Sequence, residues 1–216
     1  MTSIVLAGGS SSRLGREKSQ EILGGQRLIG LVINRLSSLS DEILIVVSPR
    51  QLKSSFSSSS KVKTVVDIYP NNGSLGGIYT GLVYSTSFQN LVVACDMPFL
   101  NPKLLRYMIS QSSGFDGLMP RIDGHKEPLH AIYTKNCLPS MEMLLNEGNL
   151  KVKNLSNSIK VRYLDNEEID IFDPEHLSCF NINTQIDLER ARILAEQKIT
   201  DRTVMATSMR KANICL

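Results

Sequence analysis

Short apolar runs rich in β-branched residues recur through the first half of the chain, and amphipathic segments separate them. The runs cover residues 4–6, 43–47, 64–66 and 91–95. Polar residues or glycine bound each run, as expected for strands buried on both faces of a sheet. Strands that alternate with amphipathic helices are typical of a parallel sheet packed between helices. We therefore predict an α/β fold.

Apolar residues at helical spacing predict the elements between and after these strands. The predicted helices cover residues 28–39, 78–83, 104–109, 141–145 and 186–195, and further strands cover 129–133, 161–164 and 179–182. We expect the second helix to begin directly behind Gly76 and Gly77. Residues 1–195 would form one domain. Residues 196–216 lack a clear period, so they would form a tail, a partner-binding extension or a helix that docks elsewhere.

Composition and charge argue against several classes of protein. The net charge is only +3, and basic residues are scattered among acidic ones, which argues against nucleic-acid binding. No apolar run is long enough to span a bilayer, and no signal peptide is recognisable. The cysteines lie far apart without a Cys-x-x-Cys pair, at Cys95, Cys137, Cys179 and Cys215. We expect a reduced, cytoplasmic protein with no membrane partner.

A segment rich in glycine, serine and spaced cations follows the first predicted strand. It reads LAGGSSSRLGREK from Leu6 to Lys18. Gly8 and Gly9 allow backbone angles closed to other residues, so main-chain N–H groups there can turn toward an anion. Arg13 and Lys18 add positive charge. The segment is neither a Walker A loop nor a G-x-G-x-x-G fingerprint. It predicts a polyphosphate site, with an ordinary strand-to-loop turn as the alternative.

A second glycine-rich segment, DIYPNNGSLGGIYTGL, begins at Asp67 behind the third predicted strand. Open α/β sheets bind ligands at the carboxyl ends of their strands, which makes Asp67 a candidate contact. Gly76 and Gly77 would let a base or a sugar lie against the backbone. The alternative is a loop that only makes a tight turn into a helix.

Asp96 follows the fourth predicted strand in the segment VVACDMPF. An ionised carboxylate is costly to bury unless it meets a cation. Beside a phosphate site, Mg²⁺ is the natural partner, because it takes one or two carboxylates together with phosphate oxygens and water. The alternative is an aspartate that caps the following turn.

Two later segments carry polar residues of less specific pattern. PRIDGHKEPLHAIY offers Arg121, His125 and Lys126 as a candidate acceptor site for an anion, with a solvated charged turn as the alternative. Asn181 and Asn183 fit a structural role in holding loops near the site. No G-x-S-x-G elbow occurs, and no serine or cysteine has an obvious histidine partner. Phosphoryl chemistry does not need such a nucleophile.

The order of these motifs resembles that of the molybdenum cofactor guanylyltransferases. The shared features are LAGG-x3-R-x-G-x2-K, Asp67 with its glycine-rich turn, CDMPF, an H-x2-P loop and NINT. They extend over residues 3–195 in the same order. Ser74 and Gln185 stand where proline is common in that family, which affects loop stiffness more than chemistry.

The resemblance implies a three-layer α/β/α nucleotidyltransferase fold with a mostly parallel, mixed sheet. It implies transfer of GMP from GTP to the terminal phosphate of molybdopterin that carries molybdenum, with release of pyrophosphate. Mg²⁺ is the implied cofactor. GTP and molybdenum-molybdopterin are the implied partners, and proteins that mature molybdoenzymes are candidates for a further one.

The resemblance also assigns residues to roles. Lys18 and Asp96 would be catalytic with help from Arg13, and Asp96 would bind the metal. Asp67 would belong to the nucleoside side of the pocket, and Gly76 and Gly77 would border the guanine. The implied nucleotide-binding set is Leu6, Ala7, Gly8, Gly9, Lys18, Asp67, Gly76, Gly77 and Asp96.

Two other functions remain open from the sequence. One is a related nucleotidyltransferase that uses CTP on the same cofactor, or GTP on another acceptor such as a cobinamide phosphate. The other is a nucleotide-binding protein without turnover. The presence of Lys18, Asp67 and Asp96 together argues against the second, since a protein that only binds has less need of Asp96.

Overall fold

A mixed sheet runs through the centre of the computed structural model, which describes residues 1–8, 18–51 and 60–197. In chain order the strands are β1 (Thr2–Leu6), β2 (Ile22–Leu23), β3 (Gln26–Arg27), β4 (Glu42–Val47), β5 (Val62–Val66), β6 (Gln89–Ala94), β7 (Gly117–Ile122), β8 (His125–Lys126), β9 (His130–Thr134) and β10 (Val161–Leu164). β2 and β3 form a separate antiparallel hairpin.

The main sheet has the order β10-β7-β9-β6-β1-β4-β5, and β8 pairs with β7 outside this path. β1 pairs in parallel with both β4 and β6, and β5 pairs in parallel with β4. β9 runs antiparallel to its neighbours β6 and β7. The carboxyl ends of β1, β4, β5 and β6 therefore share one edge of the sheet with the amino end of β9.

Helices cover both faces of this sheet. They are α1 (Leu28–Leu36), α2 (Gly73–Tyr84), α3 (Pro102–Gln111), α4 (Leu138–Asn146), α5 (Asn166–Asp170) and α6 (185–197). α1 and α3 pack on one face, and α2 and α4 pack on the other. The result is the three-layer α/β/α fold that the resemblance implies. Within the described ranges, every helix falls short of the length and apolar character that crossing a membrane requires.

The central strands bury side chains on both faces. In β1, Val5 faces the layer of α1 and α3, whereas Ile4 and Leu6 face the layer of α2 and α4. Because alternate residues point to opposite faces, a strand covered on both sides needs apolar residues at successive positions. This explains the continuous apolar runs in the sequence, and the four predicted amino-terminal strands are confirmed.

α6 packs on the remaining side of the domain. Leu188 and Ala191 of α6 lie in a third apolar cluster that also contains Leu23, Leu28 and Ile182. The helix extends slightly beyond the predicted 186–195 at both ends. Residues 198–216 of the predicted tail lie outside the described residues.

The strand predicted at 179–182 is wrong. The chain forms a short 3₁₀ turn at Leu177–Cys179 and then continues without strand pairing. Its apolar residues match the pattern of a strand, but Ile182 is buried in the third cluster. The N–H of Ile182 donates to the carbonyl of Asp96 at 3.0 Å instead of joining a ladder.

The start predicted for α2 is also wrong. The helix begins at Gly73, so Gly76 and Gly77 lie inside its first turns and do not form a turn before it. A Cβ on Gly76 would lie 2.7 Å from the carbonyl oxygen of Tyr69, and one on Gly77 would lie 3.2 Å from Leu6 Cδ2. These glycines let α2 approach the sheet and the preceding loop closely.

Gly81 of α2 provides a test of this close packing. A Cβ there would overlap the Ile4 side chain in the centre of the sheet. We expect Gly81→Ala to lower the free energy of unfolding by about 1–3 kcal/mol, as overpacked cores do. Urea denaturation measures the change.

Gly30→Ala is the matched control, because Gly30 lies in α1 and a Cβ there would meet no atom within 4 Å. Alanine is the better helix former, so this variant should gain about 0.5–1 kcal/mol. Equal stability of the two variants would contradict the packing role of Gly81.

Candidate active site

A cleft of about 420 Å³ opens at the edge of the sheet where β1 and β6 end. One side, which we call the β1 wall, is formed by Leu6, Ala7, Gly8, Gln51 and Ser74. The opposite side, the β9 wall, is formed by Glu127, Pro128, Leu129, Asn181 and Asn183. The segment from Ala94 to Met97 lies between the walls and includes Asp96. The sheet topology thus places the Asp96 carboxylate between the β1 wall and the β9 wall.

Gly8 allows β1 to continue close to the neighbouring strand. The N–H groups of Ala7 and Gly8 both donate to the Val46 carbonyl, at 2.9 and 3.1 Å. A Cβ on Gly8 would lie 3.0 Å from the Ser48 nitrogen, which a larger residue would crowd. The N–H of Gly8 is therefore used within the sheet and does not turn toward the cleft, contrary to the expectation from sequence.

Most residues of the predicted polyphosphate site lie outside the residues that the structure describes. Gly9 and Arg13 lie outside the described residues. Lys18 begins the turn Lys18–Gln20, but its side chain also lies outside what the structure describes. The roles assigned to these three residues stay predictions.

Asp96 lies just beyond β6 and is 8% exposed. Its position is fixed from two sides, because the Cys95 N–H donates to the Leu6 carbonyl at 3.1 Å and the Ile182 N–H donates to the Asp96 carbonyl at 3.0 Å. A buried carboxylate in a cleft suits a divalent cation. In the described part of the chain, no three His, Cys, Asp or Glu side chains are grouped to hold a metal. An ion at Asp96 would thus complete its ligands from amide, phosphate and water oxygens.

Asp67 directly follows β5 and is bound to the loop before α2 and to Thr80 within that helix. Its Oδ1 accepts from the Tyr69 N–H at 3.0 Å and lies 2.8 Å from the Thr80 hydroxyl. Thr80 Oγ1 in turn accepts from the Ile68 N–H at 3.1 Å. These contacts order the loop between β5 and α2. Asp67 is not among the residues that line the cleft, and neither are Gly76 and Gly77, so their nucleotide contacts stay predictions.

The cations of the predicted acceptor loop have partners away from the cleft. Arg121 forms two hydrogen bonds with the Asp165 carboxylate, at 2.6 and 2.7 Å, and these lower the pKa of Asp165. Lys126 donates to Ser156 at 2.8 Å. Both cations also lie over the ring of Tyr163. Within this segment, the cleft is lined by Glu127, Pro128 and Leu129 and not by the two cations.

Glu127 is a cleft residue that sequence reasoning missed. Partial burial raises the pKa of its carboxyl, and the nearby charge of His125 opposes this in part. The sequence signal was weak, because a glutamate in a charged loop before proline is usually solvated. Its position at the cleft depends on the antiparallel direction of β9, which places the start of that strand at the carboxyl edge of the sheet.

His130 connects the two segments of the β9 wall. It is fully buried, and its Nε2 lies 2.9 Å from the Ser178 hydroxyl. The Asn101 N–H also donates to that hydroxyl oxygen, at 3.0 Å. Burial lowers the pKa of His130 to about 4, so the ring is neutral near pH 7. The contact holds the residues before β9 against the turn that precedes Asn181 and Asn183.

Residues 3–160 match the family described as the MobA-like NTP transferase domain. The chain belongs to this family. It is therefore an enzyme of the nucleotidyltransferase class, as the motif set implied.

Curated relatives of this MobA-like chain match it over almost their full length. A protein of Pelotomaculum thermopropionicum named probable molybdenum cofactor guanylyltransferase is 35% identical over 203 residues, which cover 93% of this chain and 96% of the relative. A Desulfosudis oleivorans protein named molybdenum cofactor guanylyltransferase is 31% identical over 193 residues, covering 88% and 94%. These names agree with the family suggested by the motifs.

A solved structure from the same family has the same fold. Molybdopterin-guanine dinucleotide biosynthesis protein A from Archaeoglobus fulgidus superposes on the chain with a TM-score of 0.80 at 31% identity. The match covers 91% of this chain and 100% of that one.

His130 makes the stability of this MobA-like domain depend on pH. Its folded-state pKa of about 4 lies below the ordinary value of 6.5, so the unfolded chain binds a proton that the folded chain excludes between these values. The free energy of unfolding therefore keeps its full value above pH 6.5 and decreases as the pH falls toward 4. We expect a loss of up to about 3 kcal/mol from this group.

Urea unfolding at pH 7 and pH 4.5 measures this dependence in the wild type and in His130→Gln. The exposed His125, changed to Gln, is the control and should keep the wild-type slope. If His130→Gln also kept the wild-type slope, the pH dependence would belong to other groups.

Proposed function

We propose that the enzyme transfers GMP from GTP to the terminal phosphate of molybdenum-molybdopterin and releases pyrophosphate. The observation that carries this proposal is the buried Asp96 between the β1 wall and the β9 wall. Two substrates must meet at one phosphorus atom, and the cleft places the Asp96 carboxylate between two separate walls. The names of the relatives support the choice of substrates.

The nucleotide would bind on the β1 wall. The N–H groups of Ala7 and Gly8 are bonded within the sheet, so residues 6–8 would contact the nucleotide by packing and not by main-chain hydrogen bonds from these groups. The predicted cations Arg13 and Lys18 follow directly in the sequence and would neutralise the triphosphate. Asp67 would lie on the nucleoside side of the pocket, and Gly76 and Gly77 would act there only by letting α2 pack closely against Tyr69 and Leu6.

Asp96 would hold Mg²⁺, and Asn181 and Asn183 offer amide oxygens on the opposite wall. The ion, when bound, supplies positive charge to the α-phosphate. An oxygen of the acceptor phosphate would form a bond to the α-phosphorus. The bond from that phosphorus to the bridging oxygen of the β-phosphate would break, and pyrophosphate would leave with its charge stabilised by Lys18. No protein nucleophile takes part, because positioning and charge are sufficient for this chemistry.

Nucleotide preference tests the proposed substrate directly. We expect GTP to bind more tightly than CTP or ATP in equilibrium titrations with Mg²⁺, because the motif set resembles the guanine-using enzymes. Pyrophosphate release should then require GTP together with the molybdenum-loaded cofactor. Tighter binding of CTP would assign the chain to the cytidine-using relatives. Binding without pyrophosphate release would indicate a protein without turnover.

Substitution of Asp96 tests the catalytic centre. Asp96→Asn keeps the shape of the side chain but removes the charge that would hold Mg²⁺. We expect kcat to fall by at least about 100-fold, with the melting temperature nearly unchanged. Asp41→Asn is the control, since Asp41 is exposed and pairs with the amino terminus far from the cleft. A near-normal rate for Asp96→Asn would contradict the metal assignment.

A further inference from the structure

Glu127 is held firmly by its main chain at the entrance to β9. Its N–H donates to the Pro120 carbonyl at 3.0 Å, and its carbonyl accepts from the His130 N–H at 3.1 Å. His130 is itself fixed by Ser178. Hydrogen bonds at both its N–H and its carbonyl thus fix the backbone of Glu127, and they define where its side chain leaves the β9 wall.

The side chain of Glu127 is half-buried and lines the cleft on the β9 wall. No N–H or O–H group among the described residues donates a hydrogen bond to this carboxyl. Two cations of its own segment are bound elsewhere, Arg121 by Asp165 and Lys126 by Ser156.

These facts limit what Glu127 can bind. A half-buried carboxylate loses hydration, and hydrogen bonds from a ligand can replace it. An ionised carboxylate only accepts hydrogen bonds, so phosphate groups are repelled and N–H donors are favoured. Two adjacent N–H groups match its two oxygens best, as in bidentate pairs.

We propose that Glu127 accepts two hydrogen bonds from the 2-amino-4-oxopyrimidine edge of the pterin in the acceptor substrate, and so selects that substrate. This inference rests on the proposed function. Guanine carries the same edge, but the nucleotide is assigned to the β1 wall, across Asp96. On the β9 wall, the donor-rich part of the acceptor is the pterin ring.

Kinetics of Glu127→Gln test this assignment. Glutamine keeps the shape but removes the charge and turns an NH₂ group toward the pterin donors. We expect the KM for molybdenum-molybdopterin to rise by about tenfold or more, with kcat retained and the Kd for GTP within about twofold of wild type. Glu175→Gln, at an exposed glutamate that does not line the cleft, should leave both constants unchanged.

A second measurement is independent of turnover. Fluorescence titration with 6-hydroxymethylpterin should show binding to the wild type and at least about tenfold weaker binding to Glu127→Gln. Melting curves of both proteins check that the variant is folded. Equal pterin affinity in the two proteins would overturn the proposal, whether or not the enzyme is active.

The remaining outcomes separate the alternatives. If Glu127→Gln weakens GTP binding, the carboxylate faces the guanine and the pterin assignment is wrong. If it weakens binding of Mn²⁺ alone, the carboxylate belongs to the metal site and the assignment is also wrong. If the wild type releases no pyrophosphate from GTP and the cofactor, the proposed function fails. If the wild type is active and Glu127→Gln leaves the KM for molybdenum-molybdopterin unchanged, the proposed function stands and only the role of Glu127 is refuted.

Discussion

The parallel pairing of β1 with both β4 and β6 fixes the geometry on which the cleft depends. Leu6 lies level with Val46 on one side and with Ala94 on the other. The chain leaving β1 and the chain leaving β6 therefore emerge at the same height of the sheet edge. Gly8 and Asp96, each two residues past these paired positions, are neighbours for that reason. A shift of one residue in either ladder would offset the two segments and move Gly8 away from Asp96.

The antiparallel direction of β9 adds the second wall. Val93 pairs with His130, and the Ala94 N–H donates to the Leu129 carbonyl at 3.2 Å, so the ladder continues toward Asp96. Because β9 runs opposite to its neighbours, the residues that precede it lie at the same edge as the residues that follow β1 and β6. A parallel β9 would have carried Glu127 to the far side of the sheet.

This difference explains how much of the site could be predicted from the sequence. The position of Asp96 could be predicted because a polar residue behind a buried strand of a parallel sheet lies at the carboxyl edge. Glu127 precedes its strand, and the apolar pattern of β9 is the same in either direction. The misplaced start of α2 has a similar cause, since Gly76 and Gly77 signal a turn by composition alone. Only the close approach of Tyr69 and Leu6 shows that they are packing residues inside a helix.

The two walls also differ in the ligand chemistry they offer. The β1 wall presents uncharged residues, and the main-chain N–H groups of Ala7 and Gly8 there are bonded within the sheet. The β9 wall presents one carboxylate and two amides, and the preceding Arg121 and Lys126 are bound to partners outside the cleft. The carboxylate of the second wall therefore repels phosphate groups and favours neutral groups with N–H donors. Under the proposed function, this carboxylate would orient the acceptor, with its pterin toward the second wall and its phosphate toward Asp96.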